Sequence, residues 1–191
     1  MRLIVGLGNP GLEYEATRHN AGFWWVENLA DAQGVRLKSE GRFHGRVGRI
    51  AAPGVDCWLL LPQTFMNLSG QSVQGLAHFY KIPNENLMIL SDDLDLPFGT
   101  IRIRASGGPG GQRGLSSILE KLGTKDIPRM RLGIGRPPGR MEPADYVLQN
   151  FSRDDLKSIS EILDRAADAA IEFVTNGLTA AMNKFNGDTR D

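Results

Sequence analysis

Short runs of Leu, Ile and Val alternate along this chain with longer amphipathic segments. The strand-like runs span residues 3–7, 45–51, 57–61, 87–90, 101–104 and 131–134. The helix-like segments span residues 23–32, 69–80, 115–122, 154–175 and 178–185. This alternation predicts an α/β fold, a single-domain three-layer sandwich in which helices flank a mixed, largely parallel twisted sheet. The sheet is expected to be mixed because the neighbouring runs 45–51 and 57–61 are typical of an antiparallel hairpin.

Length and composition fit one soluble globular domain. The 191 residues are 41% hydrophobic and 23% charged, and we expect residues 1–186 to form the domain and 187–191 a frayed tail. Apolar runs are too short to span a membrane, and the first residues meet Gly8, Asn9 and Pro10 too early for a signal peptide. The single cysteine, Cys57, excludes an internal disulfide and fits a cytoplasmic location.

Charge is balanced overall but unevenly placed. Residues 100–140 carry nine Lys and Arg against two acidic residues, whereas residues 141–191 carry ten acidic residues against five basic ones. One interpretation is a set of solvated faces whose charges cancel. The other is a basic surface for a polyanion beside an acidic C-terminal helix.

Three glycines near the N-terminus have the spacing of a dinucleotide-binding motif. Gly6, Gly8 and Gly11 satisfy G-x-G-x-x-G directly after the first strand-like run. That motif needs a helix beginning at once and an acidic residue at the end of the next strand. Here Pro10 interrupts the motif, and Asp31, the acid at the right distance, falls in a predicted helix. The spacing therefore does not predict a nucleotide cofactor, and a purely structural turn is the simpler alternative.

His19 is the strongest candidate for a catalytic base. It lies in a polar connection that follows the first predicted strand, at the edge of the sheet where open α/β folds bind their ligands. An imidazole titrates near neutral pH, which suits a general base. The other two histidines, His44 and His78, have surroundings typical of structural or exposed residues.

A partner for this base follows another buried run. Asp92, Asp93 and Asp95 come directly after residues 87–90, and a strand parallel to the first would place Asp92 at the same edge as Asn9 and His19. A carboxylate that accepts from one imidazole nitrogen fixes the tautomer and makes the other nitrogen a better proton acceptor. An acidic turn and a divalent-metal site are the alternatives, the latter without a second ligand group at suitable spacing.

The segment after the 57–61 run offers apolar and amide groups. Phe65 and Met66 supply an apolar surface, and Asn67 supplies an amide, although Asn67 is equally suited to cap a helix. The chain contains no G-x-S-x-G nucleophile elbow, and its glycine loop at 107–111 lacks the Lys-Ser/Thr of a P-loop.

Together these segments resemble the bacterial peptidyl-tRNA hydrolase family over nearly the whole chain. The matching segments are Gly6-Leu7-Gly8-Asn9-Pro10-Gly11, Tyr14, Thr17-Arg18-His19-Asn20-Ala21-Gly22, Thr64-Phe65-Met66-Asn67-Leu68-Ser69-Gly70, residues 92–97 with Gly99, and Arg131-Leu132-Gly133-Ile134-Gly135. The resemblance implies a cytoplasmic, monomeric α/β enzyme without cofactor or metal. It also implies hydrolysis of the ester that joins a peptide to the 3′-terminal ribose of tRNA, with no membrane partner.

The resemblance assigns roles residue by residue. His19 is implied to be the general base that activates water, Asp92 to orient and stabilise it, and Asn9 to position the substrate. Asn67 is implied to contact the peptide or the terminal nucleotide. Tyr14, Phe65 and Met66 are implied to line the substrate site.

One position departs from the family pattern. After Gly110-Gly111 the family usually has His-Asn, and here Gln112-Arg113 takes that place. Arg113, at a substrate-binding position, either contacts a phosphate near the tRNA 3′ end or turns outward, and Gln112 is a candidate for the missing amide. Other candidates for tRNA phosphate contacts are the basic residues Arg102, Arg104, Lys121, Lys125, Arg129, Arg131, Arg136 and Arg140.

Overall fold

The described part of the chain is built on one seven-stranded sheet. The structure, a computed structural model, describes residues 1–186. The strands are β1 (Arg2–Gly6), β2 (Lys38–Glu40), β3 (Gly45–Ala52), β4 (Val55–Pro62), β5 (Leu87–Asp93), β6 (Ile101–Arg104) and β7 (Arg129–Gly133). Their spatial order is β2-β3-β4-β1-β5-β7-β6. The predicted tail at 187–191 lies outside the described residues.

Six α-helices connect and cover the strands within the described part of the chain. They are α1 (Ala21–Ala32), α2 (Ser69–Phe79), α3 (Arg113–Leu122), α4 (Pro143–Val147), α5 (Arg153–Asn176) and α6 (Leu178–Phe185). Among residues 1–186, no helix has both the length and the apolar character needed to cross a membrane.

The sheet is mixed, as predicted. The four central strands β4, β1, β5 and β7 run parallel to one another. The hairpin β3–β4 and the edge pairs β2–β3 and β6–β7 are antiparallel. The parallel pairing of β1 with β5 brings their carboxyl ends together, which is the arrangement that the proposed base and carboxylate require.

Alternate side chains of the central strands enter two separate cores. Leu3 and Val5 of β1 pack on one face against α2 and α3. Ile4 packs on the other face against α1 and α5. Because both faces of the sheet are covered by helices, the three-layer α/β architecture is confirmed.

The hydrophobic pattern did not predict two elements, the polar strand β2 and the short helix α4. Strand β2, Lys-Ser-Glu at 38–40, is exposed at every position, so it has no alternating apolar residues to reveal it. Its strand character comes from pairing with β3 at the edge of the sheet. The short helix α4 was also missed, because five residues within a Pro- and Gly-rich segment carry too little periodicity.

Helix α1 begins unusually close to the ends of β1 and β5. A Cβ added to Gly6 would lie 2.2 Å from the carbonyl oxygen of Gly22, and one added to Gly22 would lie 2.5 Å from that of Leu90. Gly6 and Gly22 therefore allow the main chains of β1, α1 and β5 to pack closely together. Because α1 starts only at Ala21 and Asp31 lies within it, the helix and the strand-end acid that a dinucleotide motif requires are both lacking here.

Candidate active site

His19 and Asp92 form a buried pair at the carboxyl edge of the sheet. His19 lies in a single 3-10 turn, Arg18–Asn20, that leads from the β1 loop into α1, and Asp92 is near the end of β5. His19 Nδ1 donates to Asp92 Oδ2 at 2.9 Å, with side chains only 13% and 3% exposed. This bond leaves Nε2 of a neutral His19 free to accept a proton.

The surroundings of His19 favour its protonated form. Burial lowers the pKa of His19, but the charge of Asp92 and its hydrogen bond outweigh burial, so that the pKa lies above the usual 6.5. The positive charge of Arg113 acts in the opposite direction on this pKa. The Asp92 carboxylate thus makes His19 a stronger base, and the guanidinium of Arg113 partly offsets this effect.

Asn9 is held in one orientation beside this pair. Its Oδ1 accepts from the main-chain N–H of Met66 at 2.7 Å. Its own main chain exchanges two hydrogen bonds with the side chain of Asn20: Asn9 N donates to Asn20 Oδ1 at 2.9 Å, and Asn20 Nδ2 donates to Asn9 O at 3.0 Å. With Oδ1 engaged, the Nδ2 group of Asn9 is the part that remains able to donate to a substrate.

A cleft of about 820 Å³ opens over the pair. Seven of the eight residues predicted for the site line it, namely Asn9, His19, Phe65, Met66, Asn67, Asp92 and Arg113. Phe65 is 58% exposed and Met66 is buried, so they form a rim and a floor respectively. Asn67 is exposed, and the hydrogen bonds among the described residues do not involve its side chain.

Tyr14 is the predicted residue that the structure does not bring to the cleft. It is half-buried in the turn that follows Gly11, where its main-chain carbonyl accepts from the hydroxyl of Thr17 at 2.8 Å. Its ring is not part of the cleft lining. A contact between Tyr14 and a substrate therefore stays a prediction.

The basic residues predicted as candidates for phosphate contacts differ in whether their guanidinium groups are free to bind a phosphate. Arg129 is 3% exposed, and its guanidinium donates to the carbonyl oxygens of Ile127, Gly107, Gly108 and Lys125. Arg129 therefore holds the glycine loop and is not available to a phosphate. Arg131 and Arg136 are paired with Asp93 and Asp95.

Arg104 and Arg113 remain as exposed cations in the lining of the cleft. Across residues 1–186 neither guanidinium makes a salt bridge to a carboxylate. The two arginines can therefore meet an anionic ligand without first breaking an ion pair.

Comparison with known proteins agrees with this geometry. The Peptidyl-tRNA hydrolase family model matches residues 3–191. The chain is 47% identical to the peptidyl-tRNA hydrolase of Elusimicrobium minutum over 97% of this chain and 99% of that protein. It is 48% identical to that of Chloroflexus aggregans, again over 97% and 99%.

A crystal structure of peptidyl-tRNA hydrolase from Acinetobacter baumannii superposes with a TM-score of 0.90 at 42% identity, over 97% of this chain and 94% of that one. The chain belongs to the peptidyl-tRNA hydrolase family. Hydrolysis of peptidyl-tRNA is the function of this family, and the chain is accordingly a hydrolase.

Sequence reasoning missed two supporting residues of this peptidyl-tRNA hydrolase site. Asn20 was visible only as part of a motif, and its clamp on Asn9 depends on a tertiary contact between a loop and a turn. For Gln112 a role as a substrate amide stays a prediction, and the contacts of its side chain with Asp92 and Met66 were not foreseen. The sequence around Asn20 and Gln112 has no pattern that would predict these tertiary contacts.

Metal ligands do not cluster in the described part of this family member. Residues 1–186 contain no group of three or more His, Cys, Asp or Glu side chains placed to hold a metal ion. Cys57 is buried in β4, and burial raises the pKa of its thiol to about 12, so it is a core residue rather than a nucleophile.

Proposed function

We propose that this protein cleaves the ester between the peptide and the 3′-terminal ribose of peptidyl-tRNA by general-base activation of water. The observation that carries the proposal is the buried His19–Asp92 pair, which lies in the same cleft as the oriented amide of Asn9. An ester is sufficiently activated for direct attack by water, so that a positioned base and hydrogen-bond donors suffice without a covalent intermediate.

In the proposed reaction, His19 Nε2 takes a proton from water as the oxygen attacks the ester carbonyl. Asp92 holds the imidazole through Nδ1 and stabilises the imidazolium that forms. Collapse of the tetrahedral intermediate breaks the bond to the ribose oxygen, which leaves with the proton from His19. The products are free tRNA and the peptide carboxylic acid, which loses the second proton of the attacking water to solvent and becomes a carboxylate.

Asn9 is proposed to act on the carbonyl or the peptide main chain through Nδ2. Its rotamer is fixed before substrate arrives, because the Met66 N–H engages Oδ1 and Asn20 holds the main chain. Such preorganised donors stabilise developing negative charge without reorganisation during the reaction. Asn67, Phe65 and Met66, which line the same cleft, are proposed to contact the terminal adenosine or the first peptide residues.

The acceptor end of tRNA is proposed to approach across the basic side of the cleft. Arg104 and Arg113 line it without a carboxylate partner among the described residues, which favours contacts with the phosphates. A substrate produced during translation supports a cytoplasmic location, and the family resemblance supports a monomer.

Release of peptide from an N-acetylated aminoacyl-tRNA tests the proposal. The free aminoacyl-tRNA serves as control substrate, EDTA is present throughout, and His19→Ala is the matched variant. We expect rapid release from the blocked substrate only, and near-complete loss of release in a His19→Ala protein that still folds and binds tRNA. A folded wild-type protein that binds tRNA but releases nothing would instead indicate an RNA-binding relative without catalysis.

A further inference from the structure

The side chain of Gln112 connects three parts of the site. Gln112 is the N-cap residue of α3, and its Oε1 accepts from the Leu115 N–H at 2.8 Å. Its Nε2 donates to Asp92 Oδ1 at 3.4 Å and lies 3.5 Å from Met66 Sδ. Both ends of one half-buried amide are thereby used, one for a helix and one for the carboxylate of the pair.

Gln112 and His19 hold opposite oxygens of the same carboxylate. Asp92 Oδ2 accepts from His19 and Oδ1 accepts from Gln112. A carboxylate with a donor on only one oxygen can rotate about its terminal torsion, which is broad. With a donor on each oxygen, the plane of the Asp92 carboxylate is fixed and Oδ2 stays directed at His19 Nδ1.

Gln112 also lies against the group that orients Asn9. Its amide contacts Met66, whose main-chain N–H fixes Asn9 Oδ1. The packing here is close, since a Cβ added to Gly114 would lie 2.6 Å from Met66 Sδ and 3.1 Å from Gln112 Oε1. A change at Gln112 therefore bears on both the base and the amide of the site.

From these contacts we infer that Gln112 is a positioning residue, which holds Asp92 for His19 while it caps α3. The inference rests on the proposed function, in which the His19–Asp92 pair is the base. Gln112 does not touch the reacting atoms in this role. It acts through Asp92.

Two substitutions separate the cap from the contact with Asp92. Gln112→Asn keeps a favourable N-cap residue, but its amide is one methylene shorter and cannot reach Asp92. Gln112→Glu keeps the length and the cap acceptor, but it cannot donate and it adds a negative charge beside Asp92. Ser152→Ala, which removes the cap of α5 where Ser152 Oγ accepts from Asp155 N, is the structural control.

The charges that face this group define the expected direction of the pH effect. Those that line the cleft are Asp92 and Asp93 on β5, Arg113 on α3, Arg104 on β6, Arg129 and Arg131 on β7, and the pair Asp95–Arg136 in the neighbouring loops; Arg131 is paired with Asp93. An added carboxylate at 112 strengthens the negative side of this set. It should raise the pKa of His19, so that activity falls off at a higher pH than in the wild type.

The experiment measures kcat and KM for an N-acetylated aminoacyl-tRNA across pH, and the His19 pKa by NMR. For Gln112→Asn we expect kcat about 3- to 10-fold lower with KM and Tm unchanged, as for loss of one ordinary hydrogen bond, since the contact with Asp92 is long at 3.4 Å. For Gln112→Glu we expect the acid limb of the pH profile and the NMR pKa of His19 to rise together. The exposed His44 and His78 are internal controls in the same spectra.

Two results would overturn the inference. One is wild-type kcat in Gln112→Asn together with an unchanged His19 pKa in Gln112→Glu. The other is a parallel loss of Tm and kcat in both Gln112 variants with no change in the pH profile. If Ser152→Ala gives the same pattern, the effect of Gln112 is one of stability alone. A wild-type protein without hydrolase activity would refute the proposed function. The role of Gln112 would still be tested in that case, because the NMR titration of His19 does not need turnover.

Discussion

The side chain of Asn20 holds the main chain of Asn9 from both sides, accepting from its N–H at 2.9 Å and donating to its carbonyl at 3.0 Å. Asn20 directly follows His19 in the chain and is 2% exposed. One 3-10 turn thus presents the proposed base to the cleft and fixes the loop that carries the proposed substrate amide. The two groups keep their relative position because a single turn determines both.

Asn20→Ala should therefore damage both stability and catalysis. It leaves a buried N–H and a buried C=O of Asn9 without partners, and each of them should lower the free energy of unfolding by about 1–3 kcal/mol. We also expect kcat to fall more than tRNA affinity, since Asn9 loses its fixed position. Chemical denaturation and steady-state kinetics measure the two effects. Asn28→Ala, which removes an exposed side-chain bond to Asp164, is the control and should change neither.

Asp92→Asn should reduce turnover with little effect on tRNA binding. A neutral amide at this position either donates to Nδ1 and selects the wrong tautomer or accepts without a charge to stabilise the imidazolium, so we expect kcat to fall by about 10²- to 10⁴-fold. Asp56→Asn, at an exposed pair with Arg49, provides the matched control. Single-turnover hydrolysis and tRNA binding separate the two steps, and equal losses in both would contradict a role in orienting the base.

The pH dependence should report the opposing charges around His19. Catalysis needs neutral His19, so kcat/KM should decline as pH falls through the pKa of His19, which lies above 6.5. Because the charge of Arg113 lowers this pKa, Arg113→Gln should move the decline to higher pH. Arg113→Lys keeps the charge and should leave the limb near its wild-type position. A limb that stays in place for Arg113→Gln would show that Arg113 is too distant or too well solvated to act on His19.

The hydrophobic pattern was sufficient for the parts of the fold that bury apolar side chains. It located six of the seven strands and the helices from α1 to α3, α5 and α6, with ends shifted by one or two residues in most cases. The edge strand β2 escaped because its residues are exposed and polar. Within the site, a polar residue such as His19 or Asp92 could be found because it follows a buried strand. The partners of that residue could not, since the contacts of Asn20 and Gln112 depend on how loops meet in three dimensions.

Arginines that are equivalent in the sequence should separate in a salt titration. Arg104 is exposed at the cleft, so Arg104→Gln should weaken tRNA binding and reduce the slope of log affinity against log salt by about one, if it meets one phosphate. Arg129 is buried and bonded to four carbonyl oxygens. Arg129→Gln should therefore cost about 3 kcal/mol of stability while the salt slope of the folded fraction stays unchanged. An unchanged slope for Arg104→Gln would remove that residue from the tRNA surface.

Substitution by alanine should change stability in opposite directions at two helical glycines, because only one of them has room for a Cβ atom. Gly75 in α2 is exposed, and a Cβ there would meet only Phe43 at 4.0 Å. Gly75→Ala should therefore raise stability by about 0.5–1 kcal/mol, through the lower backbone entropy of the unfolded chain. Gly22 in α1 is different, because a Cβ would lie 2.5 Å from Leu7 N and from Leu90 O, both main-chain atoms that cannot turn aside.

Gly22→Ala should accordingly push α1 away from the ends of β1 and β5, at a cost of about 1–3 kcal/mol or more in the free energy of unfolding. Since His19 lies in the turn that leads into α1, the same shift should lengthen its contact with Asp92 and reduce kcat even at a temperature where the variant stays folded. Thermal unfolding and kinetics at low temperature measure both effects. Wild-type turnover in a folded Gly22→Ala protein would show that the distance between α1 and the strands does not determine the geometry of the pair.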